Sequence, residues 1–240
     1  MVELVLENRL KRKIVVTGHY GSGKTEFSVS LAMLLASGDA SQRRTYSKCA
    51  IIDLDIVNPY FRSREKRDIL GRSGISVYGS IFKHEITAEL PAIGASLRAP
   101  LEDKDCLTII DAGGNDSGAL VLNQFTNYFI DNDTSVLAVI NANRPDTQTL
   151  SGALSHINAI ESATGLKITK IVNNTHLLRE TTAEAIISGN ALCIEISEAA
   201  GKELLCNCYP TGIINPSELS ALKEPLIPLG LHMRPAWLDN

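Results

Sequence analysis

Short apolar runs alternate along this chain with longer segments of mixed character. Lys13–Thr17, Cys49–Asp53, Cys106–Asp111, Thr134–Ala142 and Leu166–Asn174 are rich in β-branched residues. They show no strict apolar–polar alternation, the pattern of strands buried on both faces. Leu204–Cys208 reads as a shorter, more polar sixth strand. Between the strands, Thr25–Ala36, Ala119–Phe129 and Gln148–Ala163 carry helical patterns, and Thr182–Ile187 and Ile196–Ala200 read as two shorter helices. Strands alternating with helices predict an α/β fold, a mostly parallel central sheet flanked by helices. Arg62–Pro100 departs from the pattern: it is charged at first, contains Gly71, Gly74, Gly79 and Gly94, and includes Pro91. It reads as an excursion, a lid or a partner surface. A tail from about residue 225 ends the chain, with Trp237 as an anchor. No repeat or linker divides residues 1–240, so a single domain is expected.

Composition narrows the class. The 240 residues are 44% apolar and 21% charged, the balance of a soluble domain with a sizeable core. A net charge of -4 gives no footing for non-specific nucleic-acid binding. No stretch reaches the roughly 18 apolar residues of a transmembrane segment. The N-terminus carries Glu3 and Glu7 early, unlike a secretion signal. Five scattered cysteines read as buried thiols of a cytoplasmic protein rather than a disulfide framework.

The strongest chemical signal is Gly18-His19-Tyr20-Gly21-Ser22-Gly23-Lys24-Thr25. It follows a predicted strand and opens a predicted helix, the context in which Gly-x4-Gly-Lys-Thr forms a phosphate-binding loop. Gly18, Gly21 and Gly23 allow the tight turn, and the helix start adds unpaired amides and the positive end of its dipole. Lys24 is expected to reach the terminal phosphates and Thr25 to place its hydroxyl on Mg2+. His19, Ser22 and Glu26 complete the expected nucleotide-contacting set.

Two strand ends are acidic. Asp111 closes Cys106–Asp111 and precedes Ala112-Gly113-Gly114, where an open α/β sheet binds its ligands. Asp111 can hold the metal, and Gly113 lets backbone approach the terminal phosphate. Asp53 and Asp55 lie in D-L-D-I-V-N-P-Y-F-R; if the strand continues through them, both carboxylates share one face. Asp53 would then approach the metal and Asp55 could orient an attacking water, although either could simply initiate the Asn58-Pro59 turn. Arg62 and Arg64 suit either a phosphate contact or a solvated charge run.

With the Gly18–Thr25 loop, the Asp53–Asp55 strand end and the Asp111–Gly114 strand end in this order, the chain resembles phosphate-loop NTPases of the MinD/ParA, CobQ/CobB and nitrogenase iron-protein class. The resemblance covers about the first half and implies ATP as the nucleotide, dimerisation through the nucleotide face and hydrolysis as a switch. It assigns Lys24 and Thr25 to phosphate and metal, Asp53 and Asp55 to metal and water, and Asp111 to the terminal phosphate. Many relatives carry a second lysine after the first loop glycine, where this chain has His19, so a homodimer-activated mechanism does not transfer directly. Asn173, with an amide donor and a carbonyl acceptor, resembles the base-reading asparagine of related ATPases. The guanine pattern Asn-Lys-x-Asp is absent, since Asn174, Thr175 and His176 stand there. The expectation is a magnesium-dependent ATP-binding protein, a slow ATPase switch with a protein partner. A small-molecule kinase or ATP-dependent ligase is the first alternative. A metallocluster carrier using Cys206 and Cys208 is the second.

Overall fold

The structure, a computed structural model, describes residues 2–37, 46–55, 67–79, 97–114, 121–130 and 132–232. The apolar runs form a single eight-stranded sheet in which every neighbouring pair is parallel. Its strands are β1 (Lys13–Thr17), β2 (Lys48–Asp53), β3 (Ile75–Gly79), β4 (Cys106–Asp111), β5 (Thr134–Ile140), β6 (Lys170–Asn173), β7 (Glu203–Pro210) and β8 (Leu226–Leu229). They lie in the order β3-β2-β4-β1-β5-β6-β7-β8. Parallel neighbours require long crossovers, and the helices supply them. These are α1 (Val2–Arg9), α2 (Lys24–Ala36), α3 (Arg67–Arg72), α4 (Leu150–Thr164) and α5 (Ala183–Ala200).

Both faces of the sheet are covered, which is why β1 and β4 are buried at every position. One core joins Leu6 of α1 and Phe27, Val29 and Leu31 of α2 to Ile14, Ile51, Ile109 and Leu137. The other joins Leu97, Leu101, Phe125, Ile157 of α4 and Ile196 of α5 to Val15, Ile110, Val136 and Ile171. At the base of β1, buried Arg12 donates to the Leu101 and Asp103 carbonyls at 2.9 and 2.8 Å and to Asp133 at 2.7 Å. It closes backbone that would otherwise be unsatisfied beneath the core.

Two strands stand where sequence patterning indicated none. Within the expected excursion, α3 and β3 are an ordinary helix–strand pair, with β3 beside β2. Arg62 and Arg64 lie outside the described residues. Leu226–Leu229, at the start of the expected tail, pairs with β7 as the far edge strand; Trp237 lies outside the described residues. The two short helices expected between Thr182 and Ala200 are one helix, α5, capped by the Thr182 side chain on Ala185 N–H. Gly189 and Asn190 interrupt its apolar pattern because they face a polar layer. There Asn190 donates to Asn207 and Glu224, each at 3.0 Å.

Candidate nucleotide site

β1 lies between β4 and β5, where the chain's progress across the sheet reverses direction. Ligands bind at such a crevice, beyond the carboxyl ends of the strands. Here β1 ends at Thr17 and the Gly18–Gly23 turn leads into α2. Thr149 and Thr182 cap α4 and α5 through their side chains, but α2 starts at Gly23, in the left-handed region at φ 81°, without a side-chain cap. The first amides of α2 and the positive end of its dipole are thus directed at the loop.

The loop is held from outside. Asn174, just past β6, donates through Nδ2 to Ser22 O at 2.7 Å. A carbonyl and the next residue's N–H point in opposite directions from one peptide plane, so this bond turns the Gly23 N–H inward. Arg144, just past β5, donates from Nε to Gly21 O at 2.7 Å. His19 places Nε2 3.3 Å from Asp146 Oδ2 and meets the His156 ring edge-on, with centroids 5.2 Å apart. Burial, with His19 beside it, lowers the His156 pKa to about 4.

On the other side of β1 stand the carboxylates. Asp53 and Asp111 are register partners at the ends of β2 and β4. The ladder runs one residue further, with Leu54 N–H on Asp111 O at 2.9 Å, and this carries Asp55 inward. Asp55 Oδ2 lies 3.1 Å from Lys24 Nζ, and both side chains are only 5% exposed. The loop lysine and Asp55 thus form a buried ion pair. Asp111 is fully buried, with Ser28 Oγ 3.5 Å from Oδ1. Burial raises its pKa to about 7; the Lys24 ammonium opposes that rise and Asp53 adds to it.

Fit to a magnesium–nucleotide can be judged from buried polar atoms. Ser22 Oγ and Asp111 Oδ2 are buried and have no hydrogen-bond partner among the described residues. They lie in the loop and at the end of β4. Thr25 and the aspartates offer hard oxygen donors, the chemistry that suits Mg2+. Among the described residues no group of three or more His, Cys, Asp or Glu could hold a metal by itself. Magnesium fits here in its usual manner, with few protein ligands and the rest from phosphate and water.

Gly113 is buried just past β4, and Gly114 packs against the loop itself. A Cβ on Gly114 would lie 1.8 Å from Gly18 O. No flexible side chain can yield there, because the obstacle is backbone. Gly114→Ala is therefore expected to displace the loop and weaken magnesium–nucleotide binding at least about tenfold, a loss of about 1.4 kcal/mol. Titration calorimetry checks this, and unchanged affinity would show that the contact is dispensable.

Two expected contacts point elsewhere. Asn173 is fully buried, and its amide donates to Ile186 O at 3.0 Å and Asn207 Oδ1 at 2.7 Å, away from the loop. Successive strand residues face opposite sides, so Asn174 is the residue that reaches the loop. Glu26 follows Thr25 by one helical step and turns its carboxylate to the chain's far end, accepting His232 N–H at 2.7 Å. Both side chains are engaged by protein groups. His176, beside the charged pair Arg179 and Glu180, is buried: its Nε2 would lie 2.9 Å from a Cβ on Gly23. Burial lowers its pKa to about 4, with the Arg144 charge contributing. Arg144, Asn174 and His176 gave no motif in sequence, because each acts from a strand end remote from the loop.

Cys206 and Cys208 lie in the core at 0% and 1% exposure. Burial holds the Cys208 thiol well above its usual range, with Cys206 adding to the shift.

No helix among the described residues is long and apolar enough to cross a membrane. No protein-family model matches the chain, and no curated protein matches it by sequence. Among solved structures it is similar to FtsY from Mycoplasma mycoides, at TM-score 0.53 and 16% identity over 80% of this chain. It is also similar to the signal recognition particle receptor FtsY from Elizabethkingia anophelis in complex with GDP, at TM-score 0.47 and 18% identity over 85% of this chain. The chain spans 58% and 62% of the lengths of those two proteins. At such identity the first likeness is one of architecture, and with the loop at the end of β1 it gives the conclusion: this chain has the α/β fold of phosphate-loop NTPases, a parallel sheet flanked by helices.

Proposed function

We propose that this chain binds a magnesium–nucleoside triphosphate, ATP in preference to GTP, and hydrolyses it slowly as a molecular switch. The observation that carries this reading is the convergence at the sheet's switch point. Lys24 and Thr25, at an uncapped helix start, meet Asp55 and Asp111 from the ends of neighbouring strands.

In this reading the Gly18–Thr25 amides receive the phosphates and Lys24 moves from Asp55 to the terminal phosphoryl oxygens. Asp55, released from the lysine, orients the attacking water. Thr25 and Asp111 hold magnesium, with Asp53 beside them. Magnesium, when bound, would supply positive charge that stabilises the transferring phosphoryl group. Binding thus exchanges an internal ion pair for a phosphate contact, and the freed aspartate leads directly into residues 56–66. Coupling that exchange to a protein partner or a second copy is what makes the reading a switch.

The ATP preference rests on the residues after β6. Asn174-Thr175-His176 replaces Asn-Lys-x-Asp, and Leu177 stands where a carboxylate would pair with guanine's two N–H donors. The test is calorimetric titration with magnesium–ATP and magnesium–GTP, following product and oligomeric mass. ATP binding with slow ADP release and a change in mass supports the switch. Binding with turnover only on addition of a small acceptor would make the chain a kinase or ligase. Asp55→Ala is expected to bind ATP at least as tightly as the parent, because the competitor for Lys24 is gone, while hydrolysis falls at least about tenfold. Parallel loss of binding and turnover would remove Asp55 from the water-positioning role.

A further inference from the structure

The nucleotide loop carries on one shoulder a cation that is not part of its motif. Arg144 stands on a rigid turn. Asn141, fully buried, accepts Asn143 N–H at Oδ1 and Thr147 Oγ1–H at its carbonyl, at 3.0 and 2.8 Å, and donates from Nδ2 to His176 O at 3.2 Å. From this turn the Arg144 guanidinium lies against the loop, with Nε on Gly21 O at 2.7 Å. A Cβ on Gly21 would lie 3.1 Å from both Nε and Cζ. A glycine at 21 is therefore what allows the guanidinium to rest on the loop.

Strand order says which part of a nucleotide this cation meets. The acidic groups and Lys24 are on the β2–β4 side of β1 and mark the terminal phosphate. β5 and β6 lie on the opposite side, so the nucleoside leaves the loop towards them. That rim holds Arg144 after β5 and, after β6, adjacent Leu177 and Leu178, 45% and 42% exposed. Leu178 has φ 55°, a left-handed conformation that bulky residues rarely adopt and that functional sites tend to retain. Asn173 gives its amide to Ile186 O and Asn207 Oδ1, whereas Asn174, held on Ser22 O, keeps a buried Oδ1 with no partner among the described residues.

We infer that Arg144 is a nucleoside contact: its guanidinium, fixed on Gly21, stacks against the face of the base, with Leu177 and Leu178 as the facing apolar wall. The inference rests on the nucleotide-site reading and adds that the face of the base is held by Arg144. A planar guanidinium stacks on aromatic rings and a lysine ammonium does not.

Three magnesium-loaded probes test this on the parent chain, Arg144→Ala and Arg144→Lys: ATP, GTP and inorganic tripolyphosphate, which has no base. Both variants are expected to lose about tenfold in affinity for ATP and GTP alike. Tripolyphosphate affinity is expected to stay within about threefold of the parent, which also reports an intact loop. Equal loss on tripolyphosphate, rescue by Arg144→Lys, or unchanged nucleotide affinity would each overturn the stacking role. A parent chain that binds none of the three probes would instead bring down the nucleotide-site reading beneath it.

Discussion

Lys24→Ala is expected to reduce magnesium–ATP affinity by at least about a hundredfold, an effect of about 3 kcal/mol. The side chain is 5% exposed and stands at the start of an uncapped helix, so no other described lysine shares its place. Charge-assisted contacts to phosphate in a partly desolvated site are among the strongest a side chain can make. The same substitution deprives buried Asp55 of the ammonium 3.1 Å away. Breaking a buried pair by removing one partner costs about 3–5 kcal/mol, so the nucleotide-free variant should also unfold at lower temperature. The double variant Lys24→Ala/Asp55→Ala separates the two effects. It should recover much of the lost stability and none of the lost affinity. Calorimetry and thermal unfolding on the same samples check both, and recovery of binding in the double variant would contradict a direct phosphate contact.

Asp111→Asn should do the opposite to stability while still impairing the site. With its pKa raised to about 7, chiefly by burial, folded Asp111 keeps a proton that the unfolded chain releases near pH 4. Between about pH 4 and about 7 the folded state therefore binds more protons, and this group's contribution to stability falls as pH rises; above about 7 it is lost. His156 and His176, each lowered to about 4, act with the opposite sign up to about pH 6.5. The parent-minus-variant difference isolates the aspartate. At pH 8, Asp111→Asn should stabilise the nucleotide-free chain by about 2 kcal/mol, or about 4–8 °C in Tm, by removing an ionised carboxylate from a fully buried position. Magnesium-dependent tightening of ATP binding should fall at least about tenfold. A flat pH dependence of the Tm difference would mean that Asp111 is already ionised in the free protein.

These consequences were partly visible before folding. Ile14, Val15 and Val16 in β1, and Ile109 and Ile110 in β4, are apolar without alternation because both sheet faces are covered, and that signal is local. The loop was visible for the same reason: its eight residues are contiguous and their spacing is the motif. β8 was hidden because Leu226–Leu229 contains Pro228 and follows Pro225, residues that ordinarily argue against a strand. As the far edge strand, β8 tolerates a residue without N–H. Asn173 and Asn174 show a different limit. Both read as strand-end amides, and only the pleat, fixed by pairing with β5 and β7, decides which one faces the loop. Arg144 and Asp146 carry no sequence signal, because their partners, Gly21 and His19, are more than a hundred residues away in the chain.

The Glu26–His232 bond has a consequence for synthesis. The carboxylate next to Thr25 finds its N–H donor 206 residues later, and Ser30 of the same helix accepts Gly230 N–H at 3.2 Å. The ribosome makes the loop early, yet the helix behind it gains these two anchors only when the last strand has emerged. A nascent chain stalled before residue 226 would present the complete motif on a helix already packed on β1, β2 and β4 but without these two bonds.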